Sequence, residues 1–230
     1  MVEYLKRDYG VIMNHKKVYR LMKNNNLLAR IKRKRKHYGK KESNPKENKL
    51  NRNFNASCSF DKLGTDISEI AKSGKRIYIS PVKDFHTKVI EALEVGYHPS
   101  LSLAMNTIKQ LKEKAIAEGT FFHSDQGILY NNRQFQKWLD ENNFIQSMSR
   151  KGNPIDNSPT ESFFSILKSE LIYNDCITIK DDVQLIQEIK DYCHYYNNER
   201  IQKGLGYLTP MEFKEKCLSQ QKTKKSKSSF

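Results

Sequence analysis

Leu63-Gly64-Thr65-Asp66-Ile67-Ser68 places one carboxylate, that of Asp66, at the end of an apolar, strand-like run. His123-Ser124-Asp125-Gln126-Gly127 repeats this arrangement with Asp125, and Asp156-Asn157-Ser158-Pro159-Thr160-Glu161-Ser162-Phe163-Phe164 opens a helix that carries Glu161. Two strand ends and a helix can converge on one point. Three converging acids repel one another unless a cation lies between them. All-oxygen sites of this kind suit Mg²⁺ or Mn²⁺.

The three acids together predict chemistry at phosphorus, because a pair of such ions is a common device for in-line displacement. This indicates an enzyme that cuts or joins nucleic-acid backbones. Asp66 and Glu161 also have simpler structural interpretations when each is taken alone. Asp66 could cap a turn at the edge of the core, and Asp84 on the neighbouring strand is a second candidate. Ser158-Pro159-Thr160-Glu161 fits a capping box with Ser158 as the N-cap.

The spacing of the acids favours a shared site for Glu161. Asp125 and Glu161 are separated by 35 residues, which leaves room for one helix, one short strand and a loop. Without ions, repulsion is expected to leave Glu161 displaced from the aspartates. Lys168 follows Glu161 by seven residues, or two helical turns, and so shares its face. A cation there can hold a phosphate, although an ordinary surface lysine is the alternative.

The charge distribution predicts a nucleic-acid partner. The 230 residues carry a formal net charge of +15, and residues 1–50 alone hold 16 Lys/Arg against 4 Asp/Glu. Residues 216–230 hold 5 Lys and no acid, so a near-neutral body lies between two basic segments. Basic segments release counterions from a phosphate backbone, which gives salt-sensitive and largely sequence-independent affinity. The alternative is a charge run that only keeps the chain in solution.

Several other classes of protein are excluded. The four cysteines are widely spaced, with no histidine at zinc-finger distance, so we expect free thiols rather than a zinc site. No apolar run approaches the ~18 residues of a membrane span. His123, Ser124 and Asp125 cannot form a hydrolase triad, because consecutive strand residues point to opposite faces. A cytoplasmic, nucleoid-associated location is expected.

Hydrophobic periodicity predicts an α/β fold of the ribonuclease-H-like layout. Short turns join strands at residues 60–70, 76–82 and 88–97 into an antiparallel meander. Further strands at 120–124 and 144–147 alternate with helices at 101–118, 132–142, 160–172 and 181–197. Because the fourth strand follows a crossover helix, we expect it to lie parallel to an earlier strand. The prediction is a mixed five-stranded sheet flanked by helices.

Four segments follow from these patterns. Residues 1–41 form a basic DNA-binding segment with a helix at 14–28, and residues 42–52 form a polar linker. Residues 53–215 form the core, and residues 216–230 form a basic tail. For Arg200 a structural ion pair is the alternative to a phosphate contact. The candidate DNA-binding side chains are Lys16, Lys17, Arg20, Arg33, Arg35, Arg150, Lys151, Lys168 and Arg200.

The motifs around the three acids resemble those of transposases from bacterial insertion sequences of the IS-three family, within the retroviral-integrase superfamily. The resemblance covers about residues 8–215 and departs from the family at Lys62-Leu63-Gly64, where an aromatic residue is usual. Asn14-His15-Lys16-Lys17-Val18-Tyr19-Arg20-Leu21-Met22 resembles the second half of that family's helix-turn-helix. The other matching residues are Thr65-Asp66-Ile67, His123-Ser124-Asp125-Gln126-Gly127 with Tyr130, Ser147-Met148-Ser149-Arg150-Lys151-Gly152-Asn153, Asp156-Asn157, Glu161-Ser162-Phe163-Phe164, Lys168-Ser169-Glu170, Tyr196-Asn197 with Arg200, and Leu205-Gly206-Tyr207 before Pro210.

The resemblance implies that Asp66, Asp125 and Glu161 are the catalytic, metal-binding acids of an integrase catalytic core, followed by Lys168 as the usual basic residue. It implies two Mg²⁺ ions, which Mn²⁺ can replace, and strand cleavage at element ends followed by attack of the freed 3′-hydroxyl on target DNA. The expected partners are DNA, further copies of the chain on DNA, and the upstream-frame product that supplies end recognition in this family. Because Met1 falls inside the helix-turn-helix region, the alternative is a DNA-binding regulatory or inactive remnant. A ribonuclease-H-like nuclease that does not transpose is a third possibility.

Overall fold

A computed structural model describes residues 1–28, 46–114, 116–150, 154–173 and 178–227. Three predicted DNA-binding residues, Arg33, Arg35 and Lys151, lie outside these ranges. Two short helices open the chain, α1 (Val2–Tyr9) and α2 (His15–Asn24). The side chain of Asn14 caps α2, as predicted, by accepting a hydrogen bond from the backbone N–H of Lys16 at 2.9 Å. The helix ends earlier than the predicted residue 28.

The α1 helix, which the sequence pattern did not indicate, lies against the C-terminal part of the chain. The hydroxyl of Tyr4 donates to the carbonyl of Glu199 at 3.0 Å and accepts from the backbone N–H of Ile201 at 3.0 Å. Arg7 adds an ion pair with Glu212 at 3.1 Å. These contacts fix the beginning of the chain on the same body as its end.

Six strands form one mixed sheet: β1 (Lys62–Thr65), β2 (Ser68–Lys72), β3 (Lys75–Asp84), β4 (Ile90–Gly96), β5 (Phe121–Ser124) and β6 (Ile145–Met148). The order is β2-β3-β1-β5-β6, with β4 also paired to β3. The pairs among β1 to β4 are antiparallel, whereas β5 runs parallel to β1 and β6 runs parallel to β5. The predicted meander and the predicted parallel fourth strand are both confirmed.

Asp66 lies at a break in the predicted first strand, so the described part of the chain forms a sheet of six strands instead of five. β1 and β2 pair with β3 in one continuous register, Thr65 with Val82 and Ser68 with Ile79. In that register Pro81 stands opposite Asp66, and proline has no N–H to donate to the ladder. The hydroxyl of Thr65 donates instead to the carbonyl of Pro81 at 2.9 Å. The break therefore releases Asp66 from strand pairing.

The remaining helices are α3 (Leu101–Lys109), α4 (Arg133–Glu141), α5 (Ser158–Leu167), α6 (Asp182–Asn198) and α7 (Pro210–Lys227). The predicted helix at 101–118 is too long, because α3 ends at Lys109 and turns follow over residues 110–114. α5 continues into a π-helical turn at Lys168–Ile172 and follows a 3-10 turn at Pro154–Asn157. A second 3-10 turn occupies Lys203–Leu205. α7 takes up most of the predicted basic tail.

Apolar side chains of the sheet pack in two clusters, and each cluster includes helices. Ile70, Ile77 and Ile79 pack with residues of α5 and α6. Leu63, Val82 and Phe122 pack with residues of α3 and α4. Helices therefore cover both sides of the sheet, as an α/β layer architecture requires. None of the described helices is both long and apolar enough to cross a membrane.

Candidate active site

Asp66 and Asp125 lie at the carboxyl ends of two neighbouring parallel strands. Gly64 of β1 pairs with His123 of β5, and each strand ends one residue after that pair. Both aspartates are half-buried and line an open cleft of about 300 Å³. This edge of an α/β sheet is where ligands usually bind. The other residues that line the cleft are Ile67, Glu69, Tyr78, Pro99, Gly127, Leu129 and Tyr130.

Burial and neighbouring negative charge disfavour the ionised form of Asp66. Burial, then the charge of Asp125 and more weakly that of Glu161, raises the pKa of Asp66 to about 8. The backbone N–H of Ile67, 2.8 Å from Oδ1 of Asp66, acts in the opposite direction. Burial also raises the pKa of Asp125, whose Oδ1 accepts from the backbone N–H of Gly127 at 2.9 Å. A bound cation would stabilise such a pair of carboxylates.

Glu161 lies exposed in the first turn of α5, within electrostatic range of Asp66. The alternative of a capping box does not hold, because the N-cap is Asn157 instead of Ser158 and it makes no side-chain capping hydrogen bond. Over the described residues, no three His, Cys, Asp or Glu side chains lie close enough together to form a metal site. The two aspartates thus share the cleft, whereas Glu161 is not among the residues that line it.

The first turn of α5 approaches very close to the strand that carries Asp66. A Cβ atom at Gly64 would lie 2.4 Å from the ring of Phe85 and 2.8 Å from Oγ1 of Thr160. Real Cβ atoms do not tolerate such contacts in a close-packed interior. Only glycine at position 64 therefore lets α5, and Glu161 with it, lie this close to β1.

Buried Lys83 of β3 donates hydrogen bonds to the first turn of α5. Its Nζ donates to the carbonyl of Pro159 at 3.0 Å and to the hydroxyl of Ser162 at 3.3 Å. Burial, and then the positive charges of Lys88 and Arg200, lowers the pKa of Lys83 to about 7. Lys83 was not singled out by the sequence, because nothing local shows that a strand lysine will meet a helix 76 residues later.

The predicted DNA-binding residues Lys16, Lys17 and Arg20 are exposed on α2, where a nucleic acid can reach them. Lys168 lies closer to the acids. Its Nζ donates to the hydroxyl of Ser68 at 2.6 Å, beside the break between β1 and β2. The charge of Lys168 also contributes to lowering the pKa of Asp66.

The predicted DNA-binding arginines of the core each pair with a carboxylate. Nε of Arg150 lies 2.8 Å from Oδ2 of Asp156, and Nη2 of Arg200 lies 2.7 Å from Oε1 of Glu170. The hydroxyl of Tyr192 also donates to Glu170, at 2.8 Å. Both arginines therefore make structural ion pairs in this conformation, which for Arg200 is the alternative expected from the sequence.

Asp84, the second candidate acid, has a structural role. Its fully buried carboxylate accepts hydrogen bonds from the hydroxyl of Ser59 at 2.8 Å and from the backbone N–H groups of Phe60 at 3.1 Å and His86 at 2.8 Å. It pairs with Leu63 near the start of β1, whereas Asp66 follows the end of that strand. Asp84 is therefore separate from the cleft.

Tyr130 is a cleft residue that charge and spacing did not indicate, although it belongs to the matching motif. Burial, and then the charges of Asp66 and Asp125, raises the pKa of Tyr130 well above its ordinary value. Its buried hydroxyl lies near Thr65 and makes no hydrogen bond of standard geometry with the described residues. A buried hydroxyl without a partner is unusual, so Tyr130 offers a donor to a bound group.

Comparisons with known proteins agree with this architecture. Integrase core domain families match residues 56–154 and 161–218, and an HTH-like domain family matches residues 1–35. The transposase InsK of insertion sequence element IS150 from Escherichia coli (strain K12) is 38% identical over 211 residues, which cover 89% of this chain and 72% of InsK. The transposase InsF of insertion sequence IS3A from the same organism is 27% identical over 174 residues, covering 75% of this chain and 60% of InsF.

A solved structure shows the same fold. The HTLV-2 integrase catalytic core domain in complex with magnesium superposes with a TM-score of 0.56 at 11% identity, covering 69% of this chain and 99% of that domain. The fold, the matched domains and the identity to InsK together show the family. The chain belongs to the IS-three family of insertion-sequence transposases, enzymes of the integrase superfamily that cut and transfer DNA.

Proposed function

We propose that this transposase cleaves DNA strands at the ends of its insertion sequence and joins the freed 3′-hydroxyl to target DNA, with Asp66, Asp125 and Glu161 as its catalytic, metal-binding acids. The pair of half-buried carboxylates at neighbouring strand ends carries the proposal. Burial raises the pKa of both, and Asp125 adds to the rise at Asp66. Acids whose pKa is raised by burial and by like charge, and which lie in an open cleft, are typical of functional sites.

The donor set fits a divalent cation. Carboxylate oxygens are the hard ligands that Mg²⁺ and Mn²⁺ prefer, and a cation would relieve the repulsion within the pair. The related fold of the HTLV-2 core domain was solved in complex with magnesium. When bound, two such ions supply activation of the attacking oxygen and stabilisation of the leaving oxygen.

Two further side chains belong to this proposal. Lys168 lies beside the strand break that exposes Asp66, and we assign to it the contact with a phosphate of the DNA end. The buried hydroxyl of Tyr130 makes no hydrogen bond of standard geometry with the described residues, although it lies near Thr65. It can donate to a phosphate oxygen or to a water molecule in the cleft, since an unpaired buried hydroxyl gains most from a new acceptor.

Two partners complete the proposal. Joining both ends of one element to a target requires that the ends be held together, so we propose that the chain acts as a homo-oligomer on DNA. The product of the upstream frame is proposed as a second partner that supplies recognition of the element ends.

Incubation of the purified chain with labelled element ends in Mn²⁺ or Mg²⁺ tests the proposal. We expect nicked and strand-transfer products from the unmodified chain and none from Asp125→Asn. The asparagine keeps the shape and the acceptor for the N–H of Gly127 but lacks the charge that a divalent ion requires. Nicking without strand transfer would indicate a nuclease instead, and end binding without cleavage would indicate a regulatory protein.

The exposed cations of α2 are expected to carry part of the DNA affinity. The triple substitution Lys16→Gln, Lys17→Gln, Arg20→Gln should weaken binding to a duplex oligonucleotide and reduce the salt dependence of log K by about 0.9 for each lost phosphate contact. Fluorescence anisotropy over a series of salt concentrations measures both quantities.

The matched control for that experiment removes three exposed lysines from α3, α4 and the turn after α3, namely Lys109→Gln, Lys112→Gln and Lys137→Gln. The control lowers the net charge by the same amount. If α2 has a specific role, the control should therefore show a smaller change in DNA affinity and in its salt dependence. Equal salt slopes for the two triple variants would show that net charge alone attracts the DNA.

A further inference from the structure

Residues 46–55, which we name the docking segment, pack against the core just ahead of β1. Leu50 is buried, with 4% of its surface exposed. The carbonyl of Glu47 accepts the backbone N–H of Met148 at 3.3 Å, at the end of β6. Phe54 contacts the ring of His123 edge-on, with the ring centroids 6.5 Å apart. The predicted linker of residues 42–52 thus includes, from residue 46 onward, chain that is tied to the strands of the site.

The docking segment binds the carboxylate of Asp156. This carboxylate is fully buried, and it accepts from Nδ2 of Asn48 at 2.9 Å and from Nε of Arg52 at 2.7 Å. Arg150 adds its Nε at 2.8 Å, its Nη2 at 3.1 Å and its backbone N–H at 3.0 Å. The hydrogen bonds from Arg150 and Arg52 hold the pKa of Asp156 well below its usual range, against the effect of burial.

A second chain of hydrogen bonds leads from the docking segment to the main-chain carbonyl of Asp156. The backbone N–H of Leu50 donates to Oγ of Ser147 at 3.2 Å, and this hydroxyl lies 3.0 Å from Nδ1 of His123. Nε2 of His123 lies 2.8 Å from the carbonyl of Asp156 and must donate to it. Burial lowers the pKa of His123, and in the neutral ring Nδ1 then accepts from Ser147.

Asp156 lies two residues before α5 and five residues before Glu161. The next residue, Asn157, is the N-cap of that helix, and its Nδ2 donates to the carbonyl of Thr65 at 3.4 Å. The anchoring of Asp156 therefore determines where α5 begins relative to the end of β1. A shift at Asp156 would move Glu161 relative to Asp66.

We infer that Asp156 is a positioning residue through which the docking segment sets the placement of Glu161, so that the chain leading from the DNA-binding region into the core is part of the active-site support. This inference rests on the proposed role of Glu161. Arg52 and Asn48 are the residues of the docking segment that bind this carboxylate, and Arg52 is the one that forms an ion pair with it.

The conformation of Arg52 supports this role. Its backbone adopts a φ of 65°, in the left-handed region that non-glycine residues rarely occupy. Asn51 has a positive φ as well, of 42°, and the backbone N–H of Asn53 donates to the carbonyl of Leu50 at 2.8 Å. A tight turn over residues 50–53 therefore sets this conformation, and from that turn the side chain of Arg52 reaches Asp156. Replacement by Lys or Gln leaves the backbone preference similar, so the side chain can be tested separately.

The test compares Arg52→Gln with Arg52→Lys and with Lys137→Gln, which removes one exposed ion pair, that of Lys137 with Glu141 at 3.6 Å. Hydrogen exchange of the backbone amides of Arg150 and of the non-proline residues in 154–163 is measured in the intact chain, with β3 as the internal reference. The Mn²⁺ concentration for half-maximal cleavage of a labelled element end is measured in parallel.

We expect Arg52→Gln to speed exchange in residues 154–163 while exchange in β3 stays unchanged. The half-maximal Mn²⁺ concentration should rise about tenfold, as for other residues that support metal ligands. Arg52→Lys should remain close to the unmodified chain in both the exchange rate and the Mn²⁺ requirement. Lys137→Gln should change neither quantity.

The unmodified chain could cleave DNA while Arg52→Gln shows the same exchange rates and the same Mn²⁺ requirement. That result would overturn this inference and leave the proposed function standing. Equal acceleration of exchange throughout the core would also overturn it, since Arg52 would then contribute only to general stability. Absence of cleavage by the unmodified chain would overturn the proposed function and this inference with it.

Discussion

Glu161→Gln is expected to lower metal-dependent cleavage of element ends by orders of magnitude while leaving the fold intact. Glutamine has nearly the same size, but it lacks the charge that a divalent ion requires of its ligands. Glu161 is exposed in the first turn of α5, where an acidic residue contributes about 0.3–1 kcal/mol through the helix dipole. Relief of the repulsion with Asp66 opposes that loss, so the free energy of unfolding should change little.

Single-turnover cleavage in Mg²⁺ and urea unfolding of the same preparation measure the two quantities. Glu215→Gln, an exposed substitution of the same chemistry on α7, is the control and should affect neither. Cleavage at the normal rate by folded Glu161→Gln would remove Glu161 from the set of metal ligands. Alternatively, Glu161→Gln could unfold most of the protein while the fraction that stays folded still cleaves DNA. That result would identify Glu161 as a stabilising residue of α5.

Asp66→Asn is expected to abolish cleavage and, in the absence of metal, to stabilise the fold. The asparagine Oδ1 can keep the hydrogen bond from the N–H of Ile67, whereas the charge that is disfavoured by burial and by Asp125 disappears. Removal of an unfavourable buried charge raises the free energy of unfolding. Loss of activity with a gain of stability is the pattern expected of a residue kept for function.

The pH dependence of this effect has a definite sign. Because the pKa of Asp66 is raised to about 8 in the folded chain, the folded state binds the proton more tightly than the unfolded state, whose carboxyl has an ordinary pKa of about 4. The contribution of this group to stability is therefore present below about pH 4 and is lost progressively as the pH rises to about 8. The difference in melting temperature between Asp66→Asn and the unmodified chain should grow from pH 5 to pH 8.

Thermal melts in EDTA at several pH values measure this difference, and the addition of Mg²⁺ completes the experiment. Mg²⁺ should raise the melting temperature of the unmodified chain most at high pH, where the carboxylates bind it in their ionised form, and should do less for Asp66→Asn. Asp140→Asn, an exposed substitution on α4, is the control. A lower melting temperature for Asp66→Asn than for the unmodified chain at pH 8 would contradict the electrostatic account of the site.

The fold and the location of the two aspartates could be predicted because the signals are local. Apolar runs that end in Asp66 and Asp125 predict strand ends, and the crossover through α3 predicts that β5 runs parallel to an earlier strand, which the structure shows to be β1. Those two facts are sufficient to bring both aspartates to one edge of the sheet. Residues 60–70, which were expected to form one strand, contain β1 and β2, and these two strands pair with β3 in a shared register.

The details that the sequence did not show depend on partners from distant parts of the chain. The break at Asp66 depends on Pro81 in the adjacent strand. The ion pair between Arg52 and Asp156 joins residues 104 positions apart, and no periodicity connects them. The error at Ser158 has the same origin, because the 3-10 turn before α5 ends at Asn157 and moves the N-cap there. Positions set by tertiary contacts are the ones that local patterns miss.

The contacts of Tyr4 and of Asp156 hold the chain on both sides of residues 29–45. The helices ahead of that segment and the core behind it therefore belong to one body through contacts of their own. With the DNA-binding role proposed above for α2, DNA that it holds would be presented to the core at an effective local concentration, without a second loss of translational and rotational freedom. Weak contacts at α2 and at the cleft can then combine through avidity into binding that neither would give alone.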